Sequence, residues 1–152
     1  MSSLFTLRPA QQRDSKYLQA ICAQTDLGSP PDFANTTVAV NAENIPVGFI
    51  RIACIDDETT AANGAYIYPV AVFENWQRHG VGQALVAHEL AQRGALKLVA
   101  CKPSRGFYKK GGFAPLAWSA VARQIAHDCE ICPKAADCHP QPYIKVADKT
   151  ES

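Results

Sequence analysis

Long apolar runs are missing from this chain. None approaches the roughly 20 residues that a membrane-spanning helix needs, so no membrane is expected among its partners. An excess of one charge is missing too. Lys and Arg number 15 against 14 Asp and Glu, for a formal net charge of +1, and no basic face stands out to meet nucleic-acid phosphates. Residues 1–9 lack the basic-then-apolar-then-small layout of a secretory signal, which points to a cytoplasmic location. Repeats, linkers and low-complexity stretches are likewise absent, and 152 residues read as one domain, 1–152. Against these absences stand a hydrophobic fraction of 47% and a charged fraction of 19%, the composition of a globular protein with a real core. Cysteine is the surplus: six residues, of which Cys22, Cys54 and Cys101 lie scattered among apolar neighbours. Cys129, Cys132 and Cys138 are clustered, as metal or redox chemistry requires.

Periodicity supplies the element order. Residues 4–7 alternate as a short strand that Pro9 closes, and Leu18, Ile21 and Cys22 mark a helix over about 9–25. Residues 36–40 and 47–55 are β-rich runs joined by a polar turn, which reads as a hairpin. A polar loop, 56–64, leads to a third strand at 65–73, interrupted at Pro69. Val81, Leu85, Val86 and Leu90 share one face of a helix over 80–93. Residues 96–100 form a short apolar run, as in a buried parallel strand, and 104–110 a shorter helix that Gly111 and Gly112 end. Strand returns at 113–118, the chain beyond Ala126 is rich in Cys and Pro, and 143–146 can form a last strand. The fold class is α+β: a mixed, mostly antiparallel sheet flanked by helices.

The densest signal is Val70 to Gly82, where a strand runs into a loop with glycines at 80 and 82 and a helix starts at once. A helix opens with unpaired N–H groups and a partial positive charge, which together attract an anion. Gly80 and Gly82 let the backbone approach a phosphate closely, and Arg78 and His79 add positive charge at the same mouth. The Gly-Lys-Ser/Thr of a Walker loop and the three glycines of the dinucleotide fingerprint are both absent.

Gln77-Arg78-His79-Gly80-Val81-Gly82 resembles the Gln/Arg-x-x-Gly-x-Gly/Ala motif of the GNAT superfamily of acetyl-CoA-dependent N-acetyltransferases. Phe107-Tyr108-Lys109-Lys110-Gly111-Gly112-Phe113 is similar to that family's Phe-Tyr-x-x-x-Gly-Phe segment, and the resemblance extends over about 4–118. It implies the GNAT fold, with acetyl-CoA as co-substrate in a cleft between splayed parallel strands. By position it assigns the pyrophosphate to Gln77, Arg78, His79, Gly80, Val81 and Gly82, and the thioester carbonyl to backbone N–H groups of Val70 and Val72. Tyr108 matches the tyrosine that protonates the departing CoA thiolate.

Two positions depart from the family pattern. Tyr66 stands where many relatives carry a glutamate that deprotonates the amine, leaving Tyr66, Glu74, His79 or a water relay as the base. Cys101 replaces an asparagine often placed against the pantetheine, as a buried spacer or an acetyl-accepting thiol.

The tail at about 127–142 carries Cys129, Cys132, Cys138 and His139, enough to wrap one tetrahedral Zn2+; a disulfide and free thiols are the alternatives. The run from Asp128 to Lys134 also resembles the tails of short amino-acid acetyltransferases related to N-acetylglutamate synthases. The implied function is N-acetylation of a small-molecule primary amine, with an amino acid as one acceptor and a homodimer as one assembly. A non-catalytic acyl-CoA sensor, or a transferase acting on a protein N-terminus or lysine, are the competing readings.

Overall fold

Thr36–Val40 and Pro46–Ile55 carry the β-branched and aromatic residues that favour a pleated surface, and both are strands (β2 and β3). The computed structural model describes residues 4–25, 35–55, 64–100, 105–130 and 140–147. The chain divides into two compact units, Met1–Ala53 with Ile67–Glu89, and Cys54–Tyr66 with Leu90–Ser152.

In the first unit β1 (Thr6–Pro9) pairs antiparallel with β2, from Thr6 opposite Val40 to Pro9 opposite Thr37. The sequence placed this strand at 4–7 with Pro9 as its end. Pro9 instead belongs to it, because β1 is the outermost strand and a proline's missing N–H costs no ladder bond on an open edge. β2 pairs antiparallel with β3, Thr36 opposite Arg51 and Val38 opposite Phe49, with a register shift between Ala39 and Val40. Asn41 closes the hairpin by accepting the N–H groups of Glu43 (2.9 Å) and Ile45 (3.0 Å) on its side-chain oxygen. β4 (Gly64–Val72) lies beside β3.

The first helix begins later than its apolar spacing suggests. A 3-10 turn at Gln12–Asp14 precedes α1 (Ser15–Thr25). Asp14 explains the delay: its carboxylate accepts the Gln11 N–H at 2.8 Å and grips the Arg8 guanidinium at 2.8 and 2.9 Å. Leu18, Ile21 and Cys22 of α1 then pack on Val38, Val40, Phe49 and Ala71. Each large apolar side chain buried there contributes about 1.5–3 kcal/mol.

The second unit holds β5 (Ala95–Ala100), α3 (Arg105–Lys110), β6 (Ala114–Pro115), α4 (Arg123–Glu130) and β7 (Gln141–Val146). Tyr66 of β4 pairs parallel with Lys97 of β5, and β5 pairs antiparallel with β7 from Ala95–Val146 to Ala100–Gln141. β6 is far shorter than the strand expected over 113–118. Leu116 still donates to Pro142 O at 2.9 Å, but Pro142 has no N–H to return, and the chain turns into a 3-10 segment at Trp118–Ala120. The cysteine tail was placed at about 127–142, and α4 runs into the start of that range. Ile125 of α4 and Ala122 just before it are buried, as are Leu96, Leu98, Tyr108, Phe113 and Tyr143 of the same unit.

Candidate active site

The site begins at the end of β4. Phe73 donates its N–H to Val47 O at 2.9 Å, and Ala71 O lies 3.2 Å from where a Cβ on Gly48 would stand. Both therefore face β3, and strand alternation turns the N–H groups of Val70 and Val72 to the opposite edge. Val72 O shares that edge and is taken by the Gln77 amide at 3.1 Å. Gln77 thus brackets the loop with its side chain.

The loop reaches the helix through two left-handed residues, Arg78 at φ 69° and Gly80 at φ 81°. For Gly80 the space around a Cβ is open, so glycine is needed for its backbone angle. Arg78 bears a strain of order 1 kcal/mol for the same turn, of the kind that persists where geometry serves a site. α2 (Val81–Arg93) follows, its first helical bond running from Ala84 N–H to Gly80 O at 3.0 Å. The N–H groups of Val81, Gly82 and Gln83 precede it and have no helical acceptor. Arg78, His79 and Gly80 are exposed around them, so a cationic mouth surrounds a row of donors. His79 Nδ1 lies 3.0 Å from Gln77 O; a carbonyl only accepts, so Nδ1 carries the proton and Nε2 stays an acceptor in the neutral ring. Val81 is 1% exposed and presses on β3 where Gly48 leaves room, which seats the first turn of α2.

Tyr108 belongs to the second unit and sits in α3. It is 6% exposed and meets Phe107 and Phe113 edge-to-face at centroid distances of 5.0 and 5.3 Å. Gly112, at φ 90°, turns the chain so that Phe113 N–H returns to Tyr108 O at 3.0 Å. Burial pushes the phenol well above its ordinary value, so it holds its proton throughout the physiological range. Its hydroxyl makes no hydrogen bond among the described residues.

Tyr66, the residue in the expected base position, has a hydroxyl committed to structure. It accepts Ala122 N–H at 2.8 Å and donates to Ala120 O at 3.5 Å. Lys97 joins this knot. Only 8% exposed, it donates from Nζ to Ala120 O at 3.2 Å, with that nitrogen 5.8 Å from the Tyr66 ring centroid. Burial lowers the Lys97 pKa from its ordinary value. Sequence reasoning missed Lys97; one lysine inside an otherwise apolar strand was the available signal. Glu74 is exposed, with its backbone N–H donated to Gln24 Oε1 at 2.6 Å.

Cys101 and most of the proposed metal set, Cys132, Cys138 and His139, lie outside the described residues, and of Cys129 only the α4 backbone is within them. Among the described residues no three His, Cys, Asp or Glu side chains converge as a metal site, and no helix is long and apolar enough to cross a membrane.

Among the described residues the sheet holds a parallel pair, β4 with β5, and β4 ends in a left-handed loop that opens a helix. Residues 34–115, more than half of the chain, match the family described as acetyltransferase (GNAT) domain, and the protein belongs to that family. N-acetylglutamate synthase from Neisseria gonorrhoeae, complexed with coenzyme A and N-acetyl-glutamate, superposes with a TM-score of 0.76 at 13% identity, over 98% of this chain and 36% of that one. The chain therefore spans about a third of that synthase. Ard1 from Thermoplasma volcanium matches with a TM-score of 0.69 and 20% identity, over 97% of this chain and 100% of its own. Arabidopsis thaliana Naa50, in complex with the bisubstrate analogue CoA-Ac-MVNAL, gives 0.65 and 18%, over 95% and 100%. At these identities the likeness is one of fold. No curated protein sequence matches the chain.

Proposed function

We propose that this protein is an N-acetyltransferase that moves acetyl from acetyl-CoA directly to a primary amine of a small molecule. The observation that carries the proposal is the loop from Gln77 to Gly82. Its left-handed Arg78 and Gly80 lead the backbone into the free N–H groups of α2, with the Arg78 side chain exposed beside them, a setting suited to a pyrophosphate. The N–H groups of Val70 and Val72, turned away from β3, would hold the thioester carbonyl and stabilise the oxyanion as the amine attacks. The intermediate then collapses, the C–S bond breaks, and Tyr108, protonated at neutral pH, gives its proton to the thiolate. With the Tyr66 hydroxyl committed, the amine proton passes to His79 Nε2, Glu74 or water.

One comparison favours a second reading. Naa50 was captured with a bisubstrate analogue that includes MVNAL, so a peptide acceptor competes with a small molecule. Thiol release from acetyl-CoA across amino acids, polyamines, aminoglycosides and peptides separates the two, with turnover of free amines supporting the proposal. Acetyl-CoA binding with no turnover of any amine would support the sensor reading instead. Cytoplasmic residence and a homodimer complete the proposal. Mass measurement by light scattering tests the dimer. Zinc in the tail rests on cysteine spacing alone, and metal analysis of the purified protein decides it.

A further inference from the structure

Arg51 sits on β3, two residues beyond Phe49 and on the same face, the one α1 covers. Its guanidinium reaches β4, where Nη1 donates to Tyr68 O at 3.3 Å. Nε is buried and has no hydrogen-bond partner. No carboxylate among the described residues pairs with Arg51, whereas Arg8 is paired with Asp14. The contrast with Arg8 is direct. That residue spends Nη1 and Nη2 on Asp14 and Nε on Asn44, and is structurally complete. Arg51 has five N–H donors in a planar fork and uses one of them on a long bond.

We infer that Arg51 recognises a carboxylate on the acetyl acceptor, and that the acceptor is a free α-amino acid. This deepens the transferase reading and rests on it. Tyr68 and Val70 are two residues apart and share one strand edge by alternation, so a guanidinium on Tyr68 O lies about two strand rises, on the order of 7 Å, from the Val70 N–H. An acyl carbonyl hydrogen-bonded at Val70, an amine at a near-attack distance of about 3–3.5 Å, and a carboxyl carbon two bonds from that amine cover this span. The fork then gains a bidentate, charge-assisted pair that supplies its idle donors, including the buried Nε. A peptide N-terminus or a polyamine carries no carboxylate at that distance and leaves the buried donor unfilled.

The experiment is steady-state kinetics with wild-type protein, Arg51→Lys and Arg51→Gln, each tested with free amino acids, the matching amino-acid amides and a short peptide. Wild type is expected to prefer the acid to its amide at least tenfold in kcat/KM. Arg51→Gln should erase that preference by raising KM for the acid about tenfold or more, with KM for acetyl-CoA within twofold. Arg51→Lys, a point charge in place of the fork, should keep part of it. An acid-to-amide ratio near one in wild type, or a ratio unchanged in Arg51→Gln, overturns the inference; the wild-type ratio decides even where a variant folds poorly. Turnover of amides or peptides but not acids also overturns it while leaving acetyl transfer standing. No transfer to any amine overturns both.

Discussion

Replacing Tyr108 by phenylalanine removes one oxygen and keeps the ring. The two edge-to-face contacts, with Phe107 at 5.0 Å and Phe113 at 5.3 Å, survive the change. The lost hydroxyl has no hydrogen-bond partner among the described residues, so no protein–protein bond is broken. Relief of its desolvation offsets the small loss of contact, and stability should change by less than about 1 kcal/mol in either direction. For a domain of this size that is a Tm shift within about 2–4 °C. Catalysis should respond very differently. If Tyr108 protonates the departing thiolate, its removal costs about 10²–10³ in kcat, while KM for acetyl-CoA stays within about threefold. The assay is thiol release with saturating acceptor, run beside thermal unfolding of the same preparations. A kcat within threefold of wild type would refute the acid role. A large Tm loss with kcat falling in step with the folded fraction would show that Tyr108 is a packing residue.

The other expectations concern the loop, its seat and the pH limits. Gly80→Ala forces a side chain into φ 81°, at a cost of about 1–2 kcal/mol, and should lower Tm by about 2–8 °C and weaken CoA binding by calorimetry about tenfold. Unchanged affinity would remove the turn from the phosphate site. Gly48→Ala places a Cβ 3.0 Å from Val81 Cγ1 and 3.2 Å from Ala71 O, so it should destabilise by about 1–3 kcal/mol and loosen CoA binding as the first turn of α2 shifts. Normal stability would show that β3 and α2 have slack there. Burial raises the Asp14 carboxyl, but the Arg8 pair and the Gln11 N–H outweigh it and hold the group below its ordinary value. Its contribution is therefore present above the unfolded pKa, near 3.9, and lost as pH falls through the folded one. Asp14→Asn should cost about 2–3 kcal/mol at neutral pH and flatten the acid limb of the stability profile. An unaltered acid limb would contradict this. Tyr108 works at the other end: its raised phenol keeps a proton the unfolded chain releases near pH 10, so stability should fall above that pH, and less so in Tyr108→Phe.

Local signals in the sequence carried much of this fold. The β-branched run at Thr36–Val40 and the apolar spacing of Val81, Leu85, Val86 and Leu90 matched β2 and α2 closely, because β2 is buried along its whole length and α2 buries one continuous face. The loop between β4 and α2 was legible for a related reason, since a left-handed turn before a helix favours glycine, and Gly80 supplied one. What escaped depended on distant partners. Ala122, Ile125 and Ala126 have helical spacing, but the cysteine- and proline-rich stretch after them masked α4. Asp14 delays α1 through Arg8, six residues back across β1, which no helical periodicity records. The committed hydroxyl of Tyr66 and the burial of Lys97 follow from Ala120 and Ala122, more than 20 residues away in sequence. Arg51 carries no local signal in the sequence; its buried, unpartnered Nε is visible only with β3 in place.

The most direct measurement is the rate of CoA thiol release from acetyl-CoA with a panel of free amines, corrected for the protein's own cysteines. Saturable, protein-dependent release with a free amine, and an acetylated product of matching mass, is the result expected of a GNAT N-acetyltransferase built on the Gln77–Gly82 loop. Acetyl-CoA that fails to bind, or that binds and is never turned over with any amine, would contradict it.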